Sequence, residues 1–148
     1  MKKLLLPLIS IFILGACTAS LIGTTDYIPM GPDGLSVQIT DPASMPVFAY
    51  LTDIKEPWAP IGMYRIKNLP DDNNIIKAEI LKIKKHAAAK GANAIILGQF
   101  SDDAAAEDGK PFLTLAAYFV KYVSQITKED EAKINEYAEL EQLKHGDK

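Results

Sequence analysis

Residues 71–97 read DDNNIIKAEILKIKKHAAAKGANAIIL. The polar run Asp71, Asp72, Asn73 and Asn74 offers side-chain oxygens to the first N–H groups of a helix and places negative charge at its positive end. Ile76, Ile80, Ile83 and Ala87 then recur at i, i+4, i+7 and i+11, a single apolar stripe, with Lys77, Lys84 and Lys85 lying off it. Gly91 stands where a left-handed residue closes a helix. The spacing predicts a helix over 73–90 that turns directly into a buried strand over 93–97. Alanines 87–89 let the end of that helix lie close on a sheet.

Pro and Gly clusters divide the chain on either side. Leu35–Ile39 alternates apolar and polar and reads as a short edge strand, and Val47–Leu51 is an apolar run of strand type. A loop over 52–60 is stiffened by Pro57 and Pro60, and Ile61–Ile66 reads as the next strand, with Gly62 at its start. After the helix and its strand, Ser101–Lys110 reads as an acidic loop and Phe112–Val123 as a long strand. Along that strand Tyr118, Val120 and Tyr122 share one face, while Leu113, Leu115, Ala117, Phe119 and Val123 share the other. Lys121 interrupts the aliphatic face, as expected at a sheet margin. Thr127 with Asp130 forms a weak capping box for a charged C-terminal helix running to about Lys144 and stopped at Gly146. Its apolar residues Ile134, Tyr137, Leu140 and Leu143 step by three, so their stripe drifts and the helix is expected to dock weakly or stand free. The order predicts an α+β fold of two layers, a mostly antiparallel sheet of about four strands with one helix packed on it (β-β-α-β-β), plus the C-terminal helix.

The first residues are an address. Lys2 and Lys3 precede an apolar stretch over Leu4–Leu14, too short at about 16 Å of helix to cross a hydrocarbon core of about 30 Å. Residues 1–16 therefore read as a signal peptide, cleaved between Ala16 and Cys17. The run Leu14-Gly15-Ala16-Cys17 resembles the bacterial lipobox, which implies acylation of Cys17 and anchoring of the mature chain by several acyl chains. Thr18 after the cysteine, where Asp would commonly mark inner-membrane retention, favours the outer membrane, facing the periplasm. Residues 17–34 are rich in Thr, Gly and Pro without apolar period and read as the lipidated cysteine and a flexible tether; 35–126 is the α+β domain and 127–148 the C-terminal helix.

Pro57-Trp58-Ala59-Pro60-Ile61-Gly62, together with the Gly91-Ala92-Asn93-Ala94-Ile95 turn, resembles a pattern in small, mostly uncharacterised bacterial envelope lipoproteins. The lipobox, tether and turn are distantly similar to those of the Rcs-phosphorelay outer-membrane sensor lipoprotein. The likeness spans about Val47–Leu97 and implies a fold and a location. The chain lacks the cysteine pairs of that sensor, so the sensor's partners do not carry over.

Composition narrows the function classes further. The 148 residues carry 16 Lys+Arg against 19 Asp+Glu, a net charge of −3, which disfavours a nucleic-acid partner. A lone cysteine rules out an internal disulfide framework and a multi-thiolate metal site. His86, on the flank of the main helix stripe, and His145, in the last turn of the terminal helix, sit where a histidine complements a helix C-terminus. Asp102, Asp103, Glu107 and Asp108 lack the alternating ligand spacing of a calcium loop. No metal, cofactor or catalytic residue is therefore assigned. Trp58, the one tryptophan, sits in a proline-framed loop as a candidate binding anchor, with capping of the core edge as its other reading. The expected function is that of a non-enzymatic envelope lipoprotein whose domain contacts an envelope protein as sensor, adaptor or assembly accessory. The alternative is a binding module for a small ligand or envelope polymer.

Overall fold

The computed structural model describes residues 23–105 and 109–145, with side chains described outside 102–105. The signal peptide, the Ala16–Cys17 cleavage site, Glu107, Asp108 and Gly146 lie outside the described residues. The fold is mixed α+β, with strands β1 (Thr24–Pro29), β2 (Val47–Phe48), β3 (Trp58–Leu69), β4 (Ala94–Ala105) and β5 (Pro111–Tyr122) and helices α1 (Asn73–Ala89) and α2 (Lys128–His145). The five strands form one open sheet in the order β1-β3-β5-β4-β2, antiparallel throughout except that β2 runs parallel to β4.

Helix α1 forms where its caps place it. The Asp72 carboxylate accepts from the Asn74 and Ile75 N–H groups at 2.7 and 3.1 Å. At the other end Gly91, at φ +85°, lets its own N–H reach the Ala88 carbonyl and the Ala92 N–H reach that of Ala87, a Schellman closure. A Cβ at Gly91 would lie 2.8 Å from the Leu35 carbonyl oxygen, so close approach as well as backbone sign selects glycine there. The stripe of α1, with Ile76, Ile83 and Ala87 buried and Ile80 half-buried, packs on Ile66, Leu113, Leu115, Ala117, Phe119 and Ile95, the helix-facing side of the sheet.

Several expectations are corrected. Residues 24–29, read within the tether, are β1: Tyr27 pairs with Tyr64 and seats its ring against Phe119, so the edge strand is held by contacts far away in sequence. Among the described residues the sheet accordingly has five strands instead of about four. Leu35–Ile39 is no strand, because the Ser36 backbone is taken by side chains: its N–H donates to Asp130 and its carbonyl accepts from Lys121. Strand pairing in the 47–51 run is confined to Val47 and Phe48, while β3 starts three residues before Ile61 and ends three after Ile66. Residues 101–105, read as loop, continue β4 because β5 supplies a partner through Ala105↔Pro111, with a bulge after Ser101.

Lys121 is no marginal residue; it is wholly buried, as is Asp130 at 1% exposure. Lys121 Nζ donates to the Ser36 and Gly91 carbonyls at 2.8 and 3.0 Å and lies 4.0 Å from Asp130 Oδ2. Burial alone would raise the Asp130 carboxyl, but hydrogen bonds from Ser36 and Thr127 hold it well below the usual carboxylate range. Burial pulls Lys121 down, opposed by the Asp130 charge. The Thr127–Asp130 capping box is present in both directions, Thr127 N–H to Asp130 Oδ2 at 3.0 Å and Asp130 N–H to Thr127 Oγ1 at 3.1 Å. Through that box and half-buried Ile134, α2 is tied to the domain by its first turns.

Candidate functional site

Strand alternation gives the sheet two unlike faces. One is closed by α1. On the other, Ile28 of β1, Phe100 of β4 and Tyr118 of β5 are 43%, 57% and 40% exposed, with half-buried Met63 of β3 between them. No helix covers this face among the described residues. Its floor is low where β5 presents Thr114 and Ala116 and β4 presents Gly98. The result is a shallow groove of about 540 Å³, walled by Phe100 on one side and by Met63, Arg65 and Lys67 on the other.

The groove is electrically lopsided. Arg65 Nη2 and Lys67 Nζ share one carboxylate, Asp26 Oδ2, at 3.1 and 3.9 Å. Arg65 Nε is buried without a hydrogen-bond partner among the described residues. A cationic wall beside an apolar floor suits a partner that brings an acidic group next to an apolar one. Asn68, at φ 60°, ends this wall with the left-handed backbone that Asn tolerates better than most residues.

Trp58, the candidate anchor, opens β3 at the opposite end of the same face. It is half-buried and packs with Phe48, Ile54 and Tyr122 over Ala94, Ile96 and Val120, a minor core beneath the segment that follows β2. Trp58 and the groove are thus on one face but at different ends. Tyr118, Val120 and Tyr122 do share that face; only Tyr118 is exposed, because the Trp58 cluster covers the other two.

His86 lies on the closed side of the sheet, within 5.0–5.8 Å of the rings of Tyr64, Tyr27 and Phe119, with Nε2 buried and without a hydrogen-bond partner among the described residues. Burial, and then the nearby Lys90 charge, push its pKa down. Lys90 itself caps this cluster, 5.1 Å over the Tyr27 ring and paired with Asp33 at 2.5 Å. His145 is remote from it, 3.7 Å from Glu141 near the end of α2. The two histidines are not brought together. Asp102 and Asp103 lie in β4, and no cluster of three or more His, Cys, Asp or Glu able to hold a metal occurs among the described residues.

Sequence reading placed Tyr118 on one strand face with Val120 and Tyr122 but did not single out Arg65, Lys67 or Phe100. The signal for Arg65 and Lys67 was the alternation Met63-Tyr-Arg65-Ile-Lys67, visible once the strand is known to run to Leu69.

No protein family matches the chain, and no curated protein does. Among solved structures the chain is similar to the Francisella virulence factor FvfA in its orthorhombic crystal form, at 17% identity over 66% of this chain and 97% of that chain, with a TM-score of 0.44. A likeness that remote carries no functional inference.

Proposed function

We propose that this chain is a bacterial envelope lipoprotein, anchored by acylation at Cys17 in the outer membrane, whose small non-catalytic domain makes protein–protein contacts as a sensor, adaptor or assembly accessory. The observation that carries the reading is the uncovered sheet face, with Ile28, Phe100 and Tyr118 exposed beside Arg65 and Lys67. Apolar and aromatic side chains gathered on a sheet face, rimmed by charge, favour a macromolecular contact over plain solvation. The lipobox supports the anchor, and the resemblance to small envelope lipoproteins supports the location.

The groove over Ala116 favours a second reading, a module for a small ligand or envelope polymer that carries an anionic group to Arg65. Two measurements on the full chain test these readings. Labelling with an alkyne-bearing fatty acid and membrane fractionation should give a labelled, membrane-bound wild type and an unlabelled, released Cys17→Ser form. Co-recovery of an envelope protein should be lost on Tyr118→Lys, which charges the exposed face but leaves the groove walls intact. A labelled chain that recovers no protein, yet binds an anionic glycan fragment lost on Arg65→Gln, would favour the second reading. An unlabelled wild type would overturn the anchor.

A further inference from the structure

We infer that the outer edge of β4 around Gln99 and Ser101 is a strand-addition site for an extended segment of a partner polypeptide; this rests on the protein-contact reading above and names how the contact is made. Strand β5 pairs with β4 along one side from Ala94 to Ser101, but β2 pairs with the other side only at Ile95 and Ile96. The Ile95 N–H donates outward to the Pro46 carbonyl at 3.0 Å. Strand alternation turns the N–H and C=O of Gln99 and Ser101 the same way, past the end of β2, and no backbone group meets them among the described residues.

Sheet edges are normally blunted by charge, proline or brevity. The opposite edge, β1, carries Asp26 and Pro29, and β2 is two residues long. The stretch Leu97-Gly98-Gln99-Phe100-Ser101 has no charge and no proline. On the open face Phe100 folds back over Gly98, its ring 2.9 Å from where a Cβ would stand. An added strand would therefore lay an apolar residue against an aromatic surface at this rung while its backbone met Gln99 and Ser101. The place it would occupy is collinear with β2, so the sheet already accepts a strand in that line.

A second copy of this chain fits badly. Twofold antiparallel pairing centred on Gln99, Phe100 or Ser101 would set Asp102 of each copy opposite Ile96, Gly98 or Phe100 of the other. In every register two aspartates from each copy, four in all, crowd one short uncharged ladder, and in the first they also meet the residues that Phe48 and Val47 already pair. The occupant is instead a segment of about five residues from another protein, apolar where it crosses Gly98 and Phe100.

The experiment uses the full lipidated chain in its own cells with a benzophenone side chain at position 100 (Phe100→benzoylphenylalanine), in three further backgrounds. Gln99→Ala keeps the outward N–H, Gln99→Pro removes it without touching the β4–β5 ladder, and Ser101→Lys charges the edge while keeping every backbone group. A discrete heteromeric adduct is expected, retained in Gln99→Ala and reduced about tenfold in Gln99→Pro and Ser101→Lys. If Gln99→Pro does not fold, Ser101→Lys decides. An adduct that survives both, that is lost equally in Gln99→Ala, or that joins two copies of this chain overturns the inference. A parallel benzophenone at Tyr118 separates the two claims. Adducts from 118 and none from 100 leave the protein-contact reading standing and remove strand addition; none from either removes both.

Discussion

Replacing Asp130 by Ala tests the packing of α2 most sharply, because that carboxylate is the counter-charge of a wholly buried lysine. Its oxygens accept from the Ser36 N–H at 2.7 Å and the Thr127 N–H at 3.0 Å, and they take the Ser36 hydroxyl as well. Removal leaves two N–H groups without acceptors, each costing about 1–3 kcal/mol where water does not reach. It also leaves Lys121 with uncharged acceptors, the Ser36 carbonyl and hydroxyl and the Gly91 carbonyl, and a buried charge that loses its partner typically costs about 3–5 kcal/mol in all. Asp130→Ala is therefore expected to destabilise by about 3–5 kcal/mol, in urea unfolding followed by the fluorescence of the sole tryptophan, Trp58, and by far-ultraviolet circular dichroism. Lys121→Met in the Asp130→Ala background should recover much of that loss, since it removes the stranded charge and keeps the aliphatic volume. A loss below about 1 kcal/mol for Asp130→Ala, or two substitutions that simply add, would refute the account of a coupled buried pair.

Further perturbations address the contacts of Tyr27 on β1. A Cβ at Gly62 would lie 2.5 Å from the Tyr27 hydroxyl oxygen and 2.8 Å from its ring, so Gly62→Ala should cost about 1–3 kcal/mol, and Tyr27→Ala should cost less in that background than in wild type; thermal denaturation of the four forms checks both. Burial, and then the Lys90 charge, lower the His86 pKa from its usual 6.5, so around that value the unfolded chain binds more protons than the folded chain, and stability falls as pH drops through the unfolded value of 6.5. The melting temperature should therefore decline more between about pH 7.5 and about pH 5.5 in wild type than in His86→Gln, and equal declines would contradict a lowered His86 pKa.

Helix α1 and the turn after it were legible because their determinants are local: the Asp72 cap, a stripe of fixed period and a left-handed Gly91 all lie within twenty residues of one another. The two faces of β5 and the Thr127–Asp130 box were legible for the same reason. Strand β1 was not, since Thr24-Thr-Asp-Tyr-Ile-Pro29 is almost wholly exposed and becomes a strand only by pairing with β3. The end of β4 was hidden likewise: Ser-Asp-Asp-Ala-Ala has little strand propensity, and β5 imposes the conformation. Lys121 looked like a sheet margin because its neutralising partner, Asp130, sits across a bend in the chain and on another element. For the candidate site, Tyr118 was legible by alternation, whereas the groove depended on how far β3 and β4 extend. Trp58 was legible as a conspicuous residue, but its neighbours Phe48, Ile54 and Tyr122 come from three separate segments.

The central claim is an anchored domain that meets an envelope protein through the uncovered sheet face. Its most direct test is photo-crosslinking in cells from Tyr118→benzoylphenylalanine, in the otherwise native chain and in the Cys17→Ser form. The account predicts one discrete envelope-protein adduct from the membrane-bound chain, lost when Cys17 is replaced. A folded, membrane-bound chain that forms no adduct from this face, or an adduct formed equally well without Cys17, would contradict it.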